Sequence, residues 1–168
     1  MKENLVSILE EEDIEYNITT HEPVYTSKEA SEVRGVPLDT GVKAMVLERD
    51  DGELVLGLVP ADHEIDLESI RKEEGQKVEL ADPDEVLDVC GCEVGSVPPF
   101  GHHRPLKTYL DSGVLSKDRI NFNAGEHEVS IDMDANDLPE CILASGAKLI
   151  RTEIKEQWGL NRQSSNVI

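Results

Sequence analysis

Two stretches of the sequence carry residues that could act on a charged substrate. The first is GVKAMVL at residues 41–47, where Lys43 interrupts an apolar segment. A lysine in such a segment either extends past the apolar surface to water, or holds its ammonium at the rim of a cleft to bind a phosphate or carboxylate. The pattern alone leaves both readings open.

The second stretch is GSVPPFG at residues 95–101, in which two glycines flank two prolines and a phenylalanine. The prolines fix φ and lack an amide hydrogen, so the segment is rigid and poor in hydrogen-bond donors. Such a segment is costly to place in the middle of a chain. We therefore expect it to serve a particular task.

Other arrangements that could do chemistry are less well supported. The CGC at residues 90–92, followed by His102 and His103, lacks the spacing of a zinc site, and packing at a helix end is the simpler interpretation. No Ser/His/Asp arrangement is apparent, and His21 and His127 are isolated. The sequence therefore predicts neither a metal nor a cofactor.

Length and composition predict one compact domain. The chain has 168 residues, of which 38% are hydrophobic. We assign residues 1–150 to the domain and residues 151–168, which include Trp158, to a C-terminal tail. No apolar run reaches the ~18 residues of a membrane span, no secretory leader is visible, and three cysteines fit a reducing compartment. We expect a cytoplasmic protein that does not bind membranes.

The charge of the chain limits how it could bind a polyanion. A net charge of −20 is far from that of a protein that binds nucleic acid mainly through its phosphates. Residues 1–90 and 126–147 are strongly acidic, whereas residues 91–125 are close to neutral. The acidity fits a solvated surface adapted to a salty, halophilic cytoplasm. A polyanionic ligand would therefore depend on shape and on a few desolvated cations.

Three helices are predicted around these residues. Apolar residues recur at helical spacing in residues 2–12. Thr26, with a glutamate three residues later, predicts a helix over residues 26–34 that a glycine ends. Asp82, placed before a proline, predicts a third helix that stops at Gly91 and leads into the proline-rich loop.

A hairpin is the strongest strand signal. The segment VKAMVLERDDGELVLGLVP predicts strands at 42–49 and 53–59, joined at Asp51-Gly52 by a type I′ turn. Apolar residues on both faces of the first strand predict a central position. Further expected elements are strands near 107–110, 119–123 and 128–133, a helix within 134–145 and a strand at 147–150. This irregular order predicts an α+β fold with a mixed, mostly antiparallel sheet.

Three ordered blocks carry a resemblance to a known family. They are HEPVYTSKEASEVRGVPLDTGVKAMVL, CEVGSVPPFGHHRPLKTYLD and INFNAGEHEVSIDM, within about residues 1–150. Together they resemble the YbaK/prolyl-tRNA synthetase-associated family of aminoacyl-tRNA editing domains. The resemblance implies a YbaK-like fold, with a barrel-like sheet flanked by helices. It also implies a free-standing deacylase that hydrolyses the ester between a wrong amino acid and the terminal ribose of a tRNA.

The resemblance assigns roles to the two stretches named first. It implies that Lys43 holds the phosphate of the terminal adenosine. It also implies that the loop presents glycine amides near the substrate carbonyl, with Gly95, Ser96 and Gly101 as catalytic residues. The rest of the loop would form a wall that refuses large side chains, through Val97, Pro98, Pro99 and Phe100. No general base is expected, because a ribose hydroxyl would help to activate the water.

The same resemblance implies the opposite wall of the pocket. Its residues would be Asn123, Ala124 and Gly125. Tyr25 and Thr26 are expected first to cap a helix, and they line the pocket if that helix borders it. Asn123 stands where one branch of the family carries a serine, and Ser130 where that branch carries an aspartate. These departures weaken a specificity for cysteine and leave alanine or another small residue open. We therefore expect a trans-editing deacylase for Ala- or Cys-tRNA-Pro.

Basic residues after the loop are the candidates for contact with the acceptor end of the tRNA. They are His102, His103, Arg104 and Lys107, although ordinary exposed charge explains them equally well. A synthetase is a further expected partner, because the acidic surface offers little affinity for RNA. The alternative function is a non-catalytic module that binds aminoacyl-tRNA or a synthetase. Lys43 together with the intact loop favours the enzyme.

Overall fold

The computed structural model describes residues 1–157. Its α-helices are α1 (Lys2–Glu11), α2 (Ser27–Arg34), α3 (Leu67–Glu74), α4 (Pro83–Cys90) and α5 (Leu138–Ala144). Its strands are β1 (Tyr16–Thr20), β2 (Val42–Arg49), β3 (Leu54–Pro60), β4 (His63–Ile65), β5 (Val78–Leu80), β6 (Lys107–Asp111), β7 (Arg119–Asn123), β8 (Val129–Asp134), β9 (Leu149–Thr152) and β10 (Lys155–Gln157). No helix in residues 1–157 is both long enough and apolar enough to cross a bilayer.

In this part of the chain the strands form three sheets. The largest has the order β5-β2-β3-β6-β9, antiparallel around β2 and parallel from β3 to β9. The second is antiparallel with the order β1-β8-β7, and the third pairs β4 with β10. One bridge between Gly41 and Asn121 joins the two larger sheets. The predicted α+β fold with a mixed, mostly antiparallel arrangement is confirmed, although the described strands do not close into a barrel.

Local capping explains where two of the helices begin and end. The Thr26 hydroxyl accepts the amide of Glu29 at 3.1 Å, and Gly35 ends α2 with φ of +66°. Asp82 caps α4 in the same way, and Gly91 ends it with φ of +79°. Glycine is favoured at these C-terminal positions because it has no Cβ to resist a left-handed conformation. Both predicted helices are confirmed.

The predicted hairpin forms, but its turn is of another type. The amide of Gly52 donates to the Arg49 carbonyl at 2.9 Å, and the amide of Arg49 donates to the Glu53 carbonyl at 2.8 Å. Gly52 has φ of +88°, whereas Asp51 keeps a negative φ. A type I′ turn needs positive φ at both central residues, so that prediction is wrong. The connection is a three-residue loop in which only the glycine is left-handed.

The main core lies between the two larger sheets and is closed by helices α1, α4 and α5. Phe100 and Phe122 meet there edge to face, with ring centroids 6.0 Å apart. A smaller core on the other face of the five-stranded sheet packs against α3. The proline-rich loop of residues 95–101 is thus built into the main core and is not a free surface segment.

A buried aspartate fixes the C-terminal strands. Asp111 is fully buried, and its carboxylate accepts the backbone amides of Ile154 at 2.7 Å and Lys155 at 3.1 Å. These bonds direct the chain into β10, which pairs with β4. Residues 151–157, assigned to a tail from the sequence, are therefore part of the folded structure. Trp158 lies outside the described residues.

A second buried carboxylate organises the end of α3. The side chain of Glu74 is 1% exposed and contacts Lys107 at 2.5 Å, Arg49 at 3.2 Å and the Tyr109 hydroxyl. Burial alone would raise the pKa of Glu74, but the hydrogen bonds from Lys107 and Tyr109 and the nearby cations lower it overall. The ionised form is therefore favoured in the folded protein.

Replacing Glu74 by glutamine should lower the free energy of unfolding by about 2 kcal/mol at pH 7, because its partners lose their counter-charge. A carboxylate whose pKa is lower in the folded state than in the unfolded state stabilises the fold fully above its unfolded pKa. This stabilisation is lost as the pH falls through the folded pKa. The deficit of the variant should therefore shrink below pH 4.5. Urea unfolding at pH 7 and pH 3 measures this, with the exposed Glu79→Gln as control. An equal deficit at both pH values would contradict the assignment.

Candidate functional site

The candidate site is a crevice where α2 packs across the ends of β2 and β7. It has room for about one water molecule, with a volume of about 10 Å³. Its lining comes from α2, β2, β7 and the loop at residues 95–101, through Ser27, Ala30, Arg34, Val42, Ala44, Val97, Asn121 and Asn123. The crevice borders the single bridge between the two larger sheets, so it lies on the seam between them.

Arg34, the last residue of α2, joins the polar groups of the crevice. Its Nε donates to the Ser130 hydroxyl at 2.7 Å, and its two terminal nitrogens donate to the side-chain oxygens of Asn121 at 2.9 Å and Asn123 at 2.5 Å. The planar guanidinium can serve three acceptors at once, which an ammonium could not do in fixed directions. Arg34 therefore fixes three side chains of β7 and β8 relative to α2.

The charge of Arg34 is not balanced by an acid. In residues 1–157 its hydrogen-bond partners are neutral oxygens, and no carboxylate forms an ion pair with it. Burial lowers the pKa of Arg34 to about 10, so the group remains cationic at neutral pH. In a protein of net charge −20, this leaves an uncompensated positive charge beside the crevice.

The hydroxyl of Ser130 lies between Arg34 and His21. His21 Nδ1 is 2.7 Å from the Glu22 carbonyl oxygen, so this nitrogen carries the proton and donates. His21 Nε2 then accepts the Ser130 hydroxyl at 2.6 Å. These groups border a second cavity, of about 110 Å³, which shares Arg34 and Asn121 with the crevice. His21, which looked isolated in the sequence, is part of the same network.

Ser27 borders the crevice, and its hydroxyl oxygen is fully buried. It is the first residue of α2 and is only 2% exposed. Its Oγ has no hydrogen-bond partner among the atoms of residues 1–157. A buried hydroxyl without a partner costs about 1–3 kcal/mol of stability.

The proline-rich loop is attached to this network through its first glycine. Asn123 Nδ2 donates to the Gly95 carbonyl at 2.6 Å, and Gly95 has φ of +91°. The amide and the hydroxyl of Ser96 both donate to the Glu93 carbonyl, at 3.0 and 2.8 Å. Ser96 therefore forms the turn that opens the loop. Val97, two residues after Gly95, reaches the crevice.

An apolar cavity of about 300 Å³ adjoins the crevice and shares Ala44 and Val97 with it. Its other lining residues are Met45, Val46, Leu80, Ala81, Pro83, Val86, Val94 and Gly95. A volume of this order can receive a drug-sized ligand or a nucleoside. The loop thus separates a small polar space from a larger apolar one.

Lys43 does not share the face of β2 that borders the crevice. Val42 and Ala44 point towards the crevice, and alternation along the strand turns Lys43 to the other face. Its side chain is 3% exposed, and burial lowers the pKa of Lys43 to about 8, while Glu64 and Asp62 act to raise it. Lys43 is therefore not among the residues that line the crevice. As the second residue of β2, it lies near the end of the strand.

The later residues of the loop serve packing. Phe100 is 1% exposed and lies in the main core, and it is not among the residues that line the crevice or the apolar cavity. Gly101 and Gly125, with φ of +85° and +89°, both pack against the start of α1, where a Cβ would approach Leu5 and Met1. The loop prolines, Pro98 and Pro99, are buried.

The four basic candidates for RNA contact are in different environments. His102 is 5% exposed, and its Nε2 lies 2.7 Å from the Pro98 carbonyl oxygen. Burial lowers the pKa of His102 to about 4, so the ring is neutral and braces the loop. This corrects its expected exposure. Lys107 is committed to Glu74, whereas His103 and Arg104 are exposed.

The two residues expected at the start of α2 lie at its edge. Tyr25 is 51% exposed, and its ring lies 4.6 Å from that of His127. Thr26 caps the helix and immediately precedes Ser27. Neither side chain lines the crevice, so both remain candidates for contact at its mouth.

The cysteines belong to the core. Burial raises the pKa of Cys90 to about 12 and that of Cys92 to about 11, which keeps both thiols protonated. Within residues 1–157, no group of three His, Cys, Asp or Glu side chains is placed to hold a metal ion. Helix-end packing, the simpler interpretation of CGC, is what the structure contains.

Sequence reasoning missed Ser27, Arg34 and Asn121. Ser27 and Arg34 read as ordinary polar residues at the ends of a short helix. The one signal in the sequence was the pair Asn121 and Asn123, separated by two along a predicted strand and so on one face of it. Two amides on one inward face need partners, and Arg34 supplies them.

The assembled site can bind a small polar group and a larger apolar one side by side. The crevice offers hydroxyl, amide and guanidinium groups, and the adjoining cavity offers apolar walls. The rigid loop between them, fixed by Asn123, can hold a bond that links the two bound groups in one position.

The sequence is similar to those of known proteins that belong to one family. The model of the aminoacyl-tRNA editing domain family matches residues 21–141. The Multifunctional Ser/Thr-tRNA deacylase ProXp-y of Escherichia coli (strain K12) is 34% identical over 140 residues, covering 80% of this chain and 84% of that protein. The proline–tRNA ligase of Bacillus subtilis (strain 168) is 34% identical over 110 residues, covering 64% of this chain and 19% of the ligase.

A solved structure leads to the same family. A candidate trans-editing enzyme for prolyl tRNA synthetase superimposes with a TM-score of 0.75 at 26% identity, covering 92% of this chain and 96% of that one. The family match spans most of the chain and includes α2, the loop and Asn123. The resemblance found in the sequence is therefore confirmed, and the chain belongs to the aminoacyl-tRNA editing domain family.

Proposed function

We propose that this protein is a deacylase that hydrolyses the ester bond between a small, wrongly attached amino acid and the terminal ribose of a tRNA. The observation that carries the proposal is the position of the loop at residues 95–101, held by Asn123 between a one-water crevice and an apolar cavity. The end of an aminoacylated tRNA has two parts that match these two spaces in size: a small aminoacyl group, which is polar, and a larger nucleoside.

Hydrolysis of the ester requires a placed water and donors for the carbonyl oxygen as it becomes negative. We assign the loop backbone near Gly95 and the cationic field of Arg34 to the second task. The free hydroxyl of the terminal ribose would help to activate the water, so the enzyme itself need not supply a base. Ser96, with its hydroxyl committed to Glu93, serves the loop and not as a nucleophile.

The size of the crevice supports a small amino acid. A space of about 10 Å³ admits one further non-hydrogen group and not a large side chain. A synthetase gains only about 1–3 kcal/mol from one methylene, so small amino acids need a second sieve of this kind. The sequence favours alanine or cysteine on tRNA-Pro, and the name of the E. coli relative adds serine and threonine.

The RNA would be held by few contacts. We propose that its terminus passes the end of β2, where Lys43 can meet the last phosphate, and that the exposed His103 and Arg104 contact the acceptor end. A net charge of −20 opposes a broad phosphate interface. An aminoacyl-tRNA synthetase as partner would supply the missing affinity.

A deacylation panel tests the function. Loss of ester from Ala-, Cys-, Ser- and Thr-tRNA-Pro should be followed in high salt, with correctly charged Pro-tRNA-Pro as the matched control. We expect at least one small amino acid to be released about a hundredfold faster than proline, and a chelator to leave the rate unchanged. If all four esters survive, the deacylase proposal is wrong, and the alternative of a non-catalytic binding module is favoured. Loss of activity with the chelator would contradict the metal-free mechanism.

A further inference from the structure

We propose that Ser130 and His21 form a nucleophilic dyad, a second catalytic centre that hydrolyses small acyl esters without RNA. The inference goes beyond the proposed function, because it assigns chemistry to the cavity of about 110 Å³ beside the crevice and not to the crevice itself. It starts from a serine and a histidine that both line this cavity and whose side chains bond each other.

The pairing of β1 with β8 brings the two side chains together. Ser130 lies in β8 opposite Thr19, and His21 follows the last residue of β1, with its amide bonded to the Glu128 carbonyl at 2.8 Å. His21 Nε2 is 2.6 Å from Ser130 Oγ, which is within the reach of a base that takes the proton of a nucleophile. The backbone therefore holds both members of the dyad in place.

A third group orients the imidazole. His21 Nδ1 donates to the Glu22 carbonyl at 2.7 Å, which leaves Nε2 as the acceptor of the hydroxyl proton. In serine hydrolases a carboxylate has this task and also stabilises the imidazolium that forms. A neutral carbonyl stabilises the imidazolium less, so we expect the turnover to be slow.

The guanidinium of Arg34 activates the hydroxyl. Its Nε donates to Ser130 Oγ at 2.7 Å, and no carboxylate in residues 1–157 forms an ion pair with this cation. A positive charge beside the oxygen favours the negative charge that develops there as the proton leaves. The hydroxyl donates one hydrogen bond and accepts one, so a lone pair remains for attack on a carbonyl carbon.

The cavity has room for a small acyl group. Its volume of about 110 Å³ compares with about 10 Å³ for the one-water crevice. Val33, Val36 and Ile131 give the cavity an apolar side, which suits the methyl group of an acetyl ester. Val33 is 44% exposed, so this side of the cavity reaches the molecular surface.

The reaction balances with these two residues and one water. Ser130 Oγ attacks the acyl carbon and its proton passes to His21 Nε2. The bond between the acyl carbon and the ester oxygen breaks as that oxygen takes the proton from Nε2. Water then attacks the acylated serine and gives a proton to Nε2, and this proton returns to Oγ when the acid is released.

Covalent labelling tests the nucleophile. Methanesulfonyl fluoride should transfer its sulfonyl group to Ser130 with loss of fluoride, and peptide mass spectrometry should locate the label there. We expect labelling to be about a hundredfold slower in His21→Gln, because the base is absent. The matched controls are His63→Gln and Ser112→Ala, since neither residue lines the cavity. Both should be labelled at Ser130 as fast as the wild type.

Turnover is measured with p-nitrophenyl acetate, after the rate without protein has been subtracted. We expect kcat/KM to fall by about a hundredfold in Ser130→Ala and in His21→Gln, and to stay within about twofold in both controls. Acid quenching should trap the acetyl group on Ser130. Thermal unfolding should show that the variants are folded at the temperature of the assay.

Two outcomes would overturn the dyad. One is a folded wild type in which both reagents leave Ser130 unmodified, even if other residues are acetylated. The other is folded His21→Gln that is labelled at Ser130 as fast as the wild type. Neither reagent contains RNA, so these results are independent of the deacylation panel that decides the proposed function.

Discussion

Replacing Arg34 by alanine is expected to lower kcat/KM for the best substrate of the deacylation panel by at least about a hundredfold. The guanidinium holds Asn123, which holds Gly95, so its loss frees the loop from β7. A displacement of about 1 Å at a reacting centre costs on the order of a hundredfold in rate. Arg34→Lys should also be impaired, because an ammonium cannot bond three oxygens in fixed directions.

Two measurements distinguish a positioning role of Arg34 from a loss of folding. Guanidinium added at millimolar concentration should restore part of the activity of Arg34→Ala, which it cannot do for a chain that has unfolded. Arg119→Ala is the matched control, because this exposed arginine of β7 pairs with Asp132 and lies away from the loop. We expect the control to stay within about twofold. Full activity in folded Arg34→Ala would contradict the proposed network.

Replacing Lys43 by alanine is expected to lower kcat/KM by about a hundredfold, the effect of removing one charged donor to the substrate. The effect should appear mainly in KM if Lys43 binds a phosphate that does not react. The pKa of Lys43 is lowered to about 8, so the ammonium is present below this pH and is lost as pH rises through it. Wild-type kcat/KM should therefore decline above about pH 8.

The pH profile provides the decisive comparison for Lys43. In Lys43→Arg, any retained activity should not decline near pH 8, because the guanidinium keeps its charge there. Spontaneous loss of ester at alkaline pH must be subtracted, using samples without protein. Lys77→Ala is the matched control, since Lys77 is exposed and paired with Glu79. If Lys43→Ala hydrolyses as fast as the wild type, the phosphate-binding role is wrong.

Local chemistry made much of the fold predictable. The caps of α2 and α4 depend on residues within one turn of the helix end, so Thr26 and Asp82 could be interpreted without the tertiary structure. The hairpin of β2 and β3 likewise depends on one short loop. Its turn type was mispredicted because Asp51 tolerates positive φ but is not compelled to adopt it.

Other elements gave no clear signal. The segment with β4, α3 and β5, residues 63–80, consists of short elements rich in charge, and no local pattern in it predicts them. β1 has four exposed residues out of five and is held by pairing with β8. Strands of this kind are defined by a distant partner, which no local pattern contains.

The residues of the site also fall into two groups, those that the local sequence predicts and those that depend on distant contacts. The loop at residues 95–101 was found because prolines and glycines have local meaning, whereas Ser27 and Arg34 acquire theirs from contacts with β7 and β8 far along the chain. Lys43 was identified by type, but its face could be assigned only when Val42 and Ala44 were seen to border the crevice. The type of each residue can be read from the sequence, but the direction in which its side chain points cannot.

The carboxylate of Asp111 has a practical consequence for anyone who shortens this protein. A chain cut at residue 150 would lose β10 and with it the partner that keeps β4 in register. β4 carries Glu64, whose charge acts on Lys43, so trimming the C-terminus would also disturb the surroundings of the Lys43 amine. A minimal version should end no earlier than residue 157, and a purification tag is better attached beyond that point.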